Sequence, residues 1–376
     1  MSIQGPGILF RLRAGGSCPG LTNTRSGAVA TLINRTGILQ TPTANLLRLH
    51  WQDTNGDGVY ETPTYAIEPA ATNIMLWSRD GSNAAWTKTS CTATKTSTGV
   101  DGASNSATLI TATAGNGTCL QNVTSGSSAR SFTAYVKRIT GTGTINMTMD
   151  NGSTWTAISP VSTGYTRFRI PVQTLVNPTV GFRIVTNGDA IAVDYCQLQS
   201  TNYDTLPLLT TSATVSVNAD NCSATFPYRP VAMTFYLRYI STAIVPASDV
   251  VLMQVGSGTG ALRAYIGINA SGQATMSHIP SASSVTANAG SAASAEQSVE
   301  IRGVLNSDGS IQVGQSLAGA TESVSGTTSP LALAADWAAH TVLLGSIAGS
   351  LGCPTRLRNA MILSGVRTMD QCRGLV

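Results

Sequence analysis

The sequence predicts an all-β protein: two jelly-roll or β-sandwich domains with an N-terminal arm and hairpins. Three observations carry that expectation. Apolar residues recur at every second position in short runs, as in Phe132, Ala134 and Val136, Ile145, Met147 and Met149, Phe168, Ile170 and Val172, and Phe182 and Ile184. That is the period of a strand with one buried face. Gly, Asn, Ser and Asp separate these runs, while helical periodicity is almost absent, so the strands belong to sandwiches or barrels. Finally, 376 residues are long for one domain and comfortable for two.

Composition narrows the functional classes. Only 11% of residues are charged, against roughly 25% in an average globular domain. Yet 42% are hydrophobic, so the chain has the means to bury cores and lacks the signature of disorder. The net charge of +4 is spread along the chain with no basic run suited to nucleic acid. No apolar stretch reaches the ~18 residues that span a bilayer, which predicts no membrane insertion. The opening residues contain no long apolar core of a signal peptide, so synthesis in the cytosol and release by lysis is expected.

Seven cysteines occur, Cys18, Cys91, Cys119, Cys196, Cys222, Cys353 and Cys372. None forms a C-x-x-C pair, which argues against zinc. Buried free thiols acting as small hydrophobes are the favoured reading. Pairing of Cys91 with Cys119, or Cys353 with Cys372, after release stays open.

Three parts follow in order. Residues 1–67 read as the N-terminal arm and hairpins. Its first segment, Met1 to Ser17, joins Gly and Pro to the apolar run Ile8, Leu9 and Phe10. It has too little pattern to fold alone and is expected to dock on another protein or another copy. Within the arm, Asp53, Asn55, Asp57 and Glu61 supply side-chain oxygens at positions 1, 3, 5 and 9, and Val59 a carbonyl at position 7. Calcium takes such hard oxygen ligands, and Gly58 at position 6 permits the sharp turn. An EF-hand would need Glu where Thr64 stands, and flanking helices. A polar hairpin turn is the competing reading.

Residues 68–205 read as the first jelly roll, closing with Ile191 to Leu198. Residues 206–376 read as a second sandwich. Its strands are expected at Met233–Arg238, Val250–Val255, Leu262–Ile268, Ser298–Leu305 and Arg356–Leu363, with a hairpin turn at Asn306, Ser307, Asp308 and Gly309. Ser281 to Ser294, rich in Ser, Ala and Gly, reads either as a flexible loop or as a small-residue strand against a neighbouring subunit.

Catalysis finds little support. His50, His278 and His340 are scattered, and the glutamates are only Glu61, Glu68, Glu296, Glu300 and Glu322. A glycosidase needs two facing carboxylates. Glu300 and Asp308 flank one hairpin without any mark of a pair. Among aromatic residues, Trp155, in the turn after Asp150, Asn151 and Gly152, is the first candidate for a glycan platform, followed by Trp337 and Tyr203. Trp86 reads as core.

One segment carries a resemblance. Glu68 and Pro69, Thr72 and Asn73, Ser78, Asp80, Ser82 to Ala85 and Trp86 to Lys88 resemble the entrance to a carbohydrate-binding-module-like jelly roll in structural proteins of tailed bacteriophages and prophages. Upstream, Thr24 to Ser26, Ala30 and Thr31, Gly37 to Gln40 and Asn45 to Leu49 resemble the same family's hairpin and strand. The closing strand matches too, with Gln199 where the family has an acid. More weakly, Arg356 to Leu363 followed by Arg367 to Asp370 resembles the end of a concanavalin A-like (laminin-G-like) sandwich. The resemblance implies a non-enzymatic virion structural protein on the particle exterior, tail-associated or fibre-like and adhesive. The alternatives are a capsid decoration protein that stabilises the head and a polysaccharide-degrading tailspike subunit. The last would favour long parallel β-helix repeats, and none is visible. The implied partners are other virion proteins, further copies of the chain and a host surface glycan, with calcium as the one candidate cofactor.

Overall fold

The computed structural model describes residues 7–11, 22–24, 31–42, 48–52, 60, 62–159, 161–201, 204–226, 232–241, 249–256, 263–294, 297–333, 340–344 and 355–375. Their regular structure is strand apart from one short helix, Met369–Arg373. No helix among them is long and apolar enough to cross a membrane. Strand pairing is antiparallel throughout the named ladders, and two sandwiches result.

The first sandwich packs a seven-stranded sheet on a five-stranded one. The larger runs Thr166–Leu175, Ser128–Thr140, Ala190–Gln199, Ala107–Ala112 and Cys91–Ser97, with Ala71–Asn73 and Val215–Val217 joined beside Gln199. The smaller runs Thr156–Ile158, Ile145–Thr148, Thr179–Ile184, Gly117–Asn122 and Thr87–Thr89. Between them lies a core of Phe132, Ala134, Val136, Ile145, Met147, Met149, Phe182 and Ile184, with Trp86 buried beside them. The alternation that predicted these strands is therefore the alternation of the core. The rings of Phe132 and Phe182 meet across the sheets, tilted, with centroids 5.9 Å apart, a favourable aromatic geometry.

Val172 departs from its expected inward place and is exposed. Arg130 opposes Gln173 while Phe132 opposes Ile170, so Pro171 and Val172 together face Ser131. This bulge resets the alternation, and it falls at a proline on an edge strand, where a missing N–H is tolerated.

The second sandwich is not contiguous in sequence. Its eight-stranded sheet runs Ser323–Val324, Ile311–Leu317, Ser298–Leu305, Met233–Ile240, Thr355–Ser364, Thr62–Ile67 and Arg48–Gln52, and Gly7–Arg11 also pairs with Thr355–Ser364. Its seven-stranded sheet begins with Thr22–Thr24, which pairs with Asn221–Phe226, and continues through His340–Leu344, Val250–Gly256, Arg263–Ile268 and Ala274–Ile279 to Val285–Ala289. Thus strands from residues 7–67 enter both sheets of the sandwich whose remaining strands follow residue 220. Tyr65 and Ile67 share one core with Phe235, Leu237, Ile301 and Ile362. The jelly roll is inserted between those two contributions, entering at Ala71 and leaving at Val217, which are paired neighbours.

This arrangement differs from a free N-terminal arm. Gly7–Arg11 docks on the chain's own Thr355–Ser364, from Gly7 opposite Leu363 to Arg11 opposite Asn359. Strands this short carry no readable period, and their partners lie hundreds of residues away. The hairpin Leu32–Ile33 with Leu39–Gln40 goes the other way, packing Ile33 and Leu39 on Val100, Tyr135 and Tyr195 of the jelly roll. The Ser/Ala/Gly-rich segment also contains a strand, Val285–Ala289, whose Ala287 and Ala289 face the sandwich's own core.

Candidate functional site

Trp155 stands at the start of the edge strand Thr156–Ile158, and the turn before it explains its placement. Asp150 Oδ1 accepts from the Thr154 amide (2.9 Å) and from Thr148 Oγ1 (2.8 Å), while Thr148 Oγ1 accepts from the Gly152 amide (3.0 Å). Burial pushes the Asp150 carboxyl up, but the Thr154 and Thr148 hydrogen bonds together hold it below its ordinary value. The turn needs Asn151 (φ 59°) and Gly152 (φ 77°) in the left-handed region. A Cβ on Gly152 would come within 2.7 Å of the Trp155 ring, so glycine is what allows the indole to fold back.

The indole is half-buried, and the Arg183 guanidinium lies 4.4 Å from its ring centroid. Arg183 donates through Nε (3.3 Å) and Nη2 (3.1 Å) to Asn146 Oδ1. Asn146, Arg183 and Thr118 oppose one another on three neighbouring strands, on the face of the five-stranded sheet turned away from the core. An indole, a guanidinium, an amide and a hydroxyl are thus aligned on one sheet face. These groups suit stacking and hydrogen bonding with a polyhydroxylated ligand. Asp150 is taken up by the turn itself.

The other sequence-selected positions are scattered. Asp53, Asn55, Asp57, Val59 and Glu61 lie outside the described residues, as do Trp337, Tyr203 and Glu296. The strands on either side of that motif, Arg48–Gln52 and Thr62–Ile67, pair with Gln52 opposite Thr62. Among the described residues no group of three or more His, Cys, Asp or Glu could hold a metal ion.

His50 is buried and accepts the Ile33 amide at Nδ1 (3.1 Å). Burial, then the charges of Arg356, Arg48 and Arg167, push its pKa well below 6.5, so it is neutral. His278 is buried with Nδ1 3.0 Å from the Gly309 carbonyl. Glu300 accepts from Tyr236 (2.7 Å) and Arg373 (2.8 Å), whereas Asp308 accepts from Ser310 in the turn at the far end of that hairpin. The two carboxylates do not converge. Cys91, Cys119, Cys196, Cys222 and Cys372 are all free thiols, so the Cys91–Cys119 bond is not formed. Cys18 and Cys353 lie outside the described residues.

The motif that looked most distinctive is spent on joining the two sandwiches. Glu68 accepts from Arg356 (2.6 Å) and from the Leu206 amide (2.7 Å). Asp220 Oδ2 accepts from Arg48 (2.5 Å) and from the Glu68 amide (2.8 Å). All four charged side chains are buried. Asn73 donates to the Cys196 and Leu208 carbonyls and accepts the Met75 and Leu198 amides. Farther along, Arg79 pairs with Asp194 (2.7 Å) and Asp101 (2.6 Å) while its guanidinium lies 4.4 Å from the Tyr195 ring centroid. Sequence reading placed Arg48 and Arg356 only in strand motifs and passed over Asp220, because nothing local marks a lone charge as the partner of a residue far along the chain. Gln199 plays two parts: its amide donates to Thr205 Oγ1 (2.8 Å) and its carbonyl accepts the Thr205 amide (3.2 Å), a dual role closed to a carboxylate.

No protein-family model matches the sequence, and no curated protein does. Among solved structures, similarity is found to the CBM40 module of a Ruminococcus gnavus sialidase bound to α2,3-sialyllactose. That match has 17% identity and a TM-score of 0.30, covering 38% of this chain and 81% of that one. A tandem CBM22 domain from Paenibacillus barcinonensis Xyn10C matches at 8% identity and TM-score 0.28, over 79% of this chain and 99% of that one. Domains LG4-5 of the mouse laminin α1 chain match at 8% identity and TM-score 0.24, over 82% and 92%. Scores this low carry no argument about what the chain binds.

Proposed function

We infer that this chain is a non-catalytic structural protein of a tailed-bacteriophage particle, displayed on the exterior as a tail-associated adhesion component. The sequence resemblance at residues 24–88 supplies the particle. The observation that carries the non-catalytic part is the use made of the titratable side chains. Glu68, Glu300 and Glu322 are paired with Arg356, Arg373 and Arg302, and His50 and His278 hold backbone groups. A hydrolase needs such groups facing a substrate with mismatched pKa values.

Adhesion on this reading uses the outer face of the five-stranded sheet, with Trp155 as the sugar platform. A single aromatic contact contributes on the order of 1 kcal/mol, so attachment depends on many copies acting together. Calcium held by Asp53, Asn55, Asp57, Val59 and Glu61 would tie together the paired strands Arg48–Gln52 and Thr62–Ile67 on either side. A chelator should then lower the melting temperature in the wild type and not in Asp57→Ala.

Imaging of intact particles with a label on this subunit tests the assignment. Density on the tail is expected. Label on the head would replace adhesion by capsid decoration, and release of shortened oligosaccharides from host polysaccharide would overturn the non-catalytic assignment.

A further inference from the structure

The outward face of the eight-stranded sheet has two covers. At one end the junction with the jelly roll lies over Arg48, His50 and Arg356, all buried. At the other, the helix Met369–Arg373 lies over Tyr236, Met361 and Leu363, which form one cluster with Met369 and Cys372. The register places a strip between them. Tyr236 opposes Met361, Arg238 opposes Asn359, and Ile240 opposes Arg356. Arg238 therefore stands in the middle row. The ladder shifts between Arg238 and Tyr239 so that Arg358 is the extra residue of a bulge in the opposite strand. A bulge re-aims side chains locally, and here it places Arg358 next in the chain to Asn359, the residue opposite Arg238.

Carboxylate is short on this strip. Arg238 lies 4.0 Å from Glu300 and donates weakly to Ser298 Oγ (3.4 Å). Glu300 is already engaged by Tyr236 and by Arg373, and Arg373 is further held by Ser316 (2.8 Å). Arg358 is half-buried and has no hydrogen bond or ion pair among the described residues. Its pKa is lowered by burial first and then by the charge of Arg238, against a raising effect of Tyr236, as expected of two like charges that share only the distant, already engaged Glu300. Such an arrangement is costly unless an anion completes it, and guanidinium forks match carboxylate and phosphate oxygens in geometry.

We propose that Arg238 and Arg358 form an anion site in the strip between the jelly roll and the C-terminal helix, which takes a phosphate or carboxylate group carried on an acidic polysaccharide. Oxygens of that group would accept from both guanidinium groups, and Ser298 and Asn359 border the same strip. The site stands apart from the Trp155 face, on the other sandwich, and does not depend on it.

The test titrates the full-length protein with inorganic phosphate and with oligogalacturonate by calorimetry at low, matched ionic strength. Binding of either probe is expected, weakened roughly tenfold by R358Q and further by R238Q/R358Q, the loss anticipated for a charge-assisted hydrogen bond. R358K, which keeps the charge and loses the fork, should fall between, and K95Q, on an exposed strand of the jelly roll, should bind as wild type. Circular dichroism confirms that each variant is folded. Equal binding by the wild type and the folded double variant, or binding of neither probe by the wild type, would overturn the site.

Discussion

The two sandwiches have the same kind of core and opposite relations to the sequence. The jelly roll is one uninterrupted stretch, from Ala71–Asn73 to Val215–Val217. The sandwich that holds it takes Gly7–Arg11, Thr22–Thr24, Arg48–Gln52 and Thr62–Ile67 from before the insert, and its remaining sheet partners from after it. Contiguity, more than regularity, therefore decides what a sequence displays. Closing so long a loop costs only slowly rising entropy, and the insert offsets much of that by bringing its own ends together at Ala71 and Val217. What remains at the crossing is a desolvated ion cluster, Glu68–Arg356 and Asp220–Arg48, which ties the two parts together.

Core truncations separate the two regions most strongly. Phe132 and Phe235 are both fully buried, in the jelly roll and the surrounding sandwich respectively. Each change to alanine should cost about 3–5 kcal/mol in its own domain, read as a shift of one transition in urea. Phe132→Ala should also weaken the sandwich slightly, because an unfolded insert becomes a long open loop. Phe235→Ala should leave the jelly roll's transition in place. A single merged transition in both variants would mean that the two sandwiches unfold as one unit.

Arg356→Met should be comparably costly, about 3–5 kcal/mol, because it strands the buried Glu68 carboxylate. Unlike the core variants, it should loosen the crossing itself. Protease should then cut near residues 67–71 or 217–220 before either core opens. Unchanged resistance there would show that packing alone holds the domains together.

The smallest effect concerns acid. Burial pushes the Glu300 carboxyl up, but the Arg373 and Tyr236 hydrogen bonds outweigh it and hold the group below its ordinary value of 4.5. The stability this contributes is fully present above 4.5 and is lost as pH falls through the lowered folded value. Hydrogen exchange should therefore rise in the C-terminal helix on acidification, and Arg373→Gln should flatten that dependence. Exchange that rises equally in both proteins would place the acid response elsewhere.

Legibility follows the same divide. Phe182 and Ile184 announced their strand because alternation is local, and Trp86 was legible as core. Val172 was not, since the bulge at Pro171 reversed the alternation. Gly7–Arg11 read as a free docking segment because five residues carry no pattern and its partner, Thr355–Ser364, is at the other end of the chain. Trp155 was legible as an aromatic in a polar turn, but its pairing with Arg183 was not, since cross-strand register decides it. Glu68 was visible as a motif residue, and only the fold shows that it anchors a domain crossing.

The most direct test compares two shortened proteins by calorimetry. In one, residues 71–217 are excised and Ala70 is joined to Asn218 through a short glycine-rich linker. In the other, residues 206–376 stand alone. One cooperative transition is expected for the first protein and none for the second, which lacks the strands Thr62–Ile67 and Gly7–Arg11. Cooperative unfolding of 206–376 alone, with no transition in the excised protein, would contradict it.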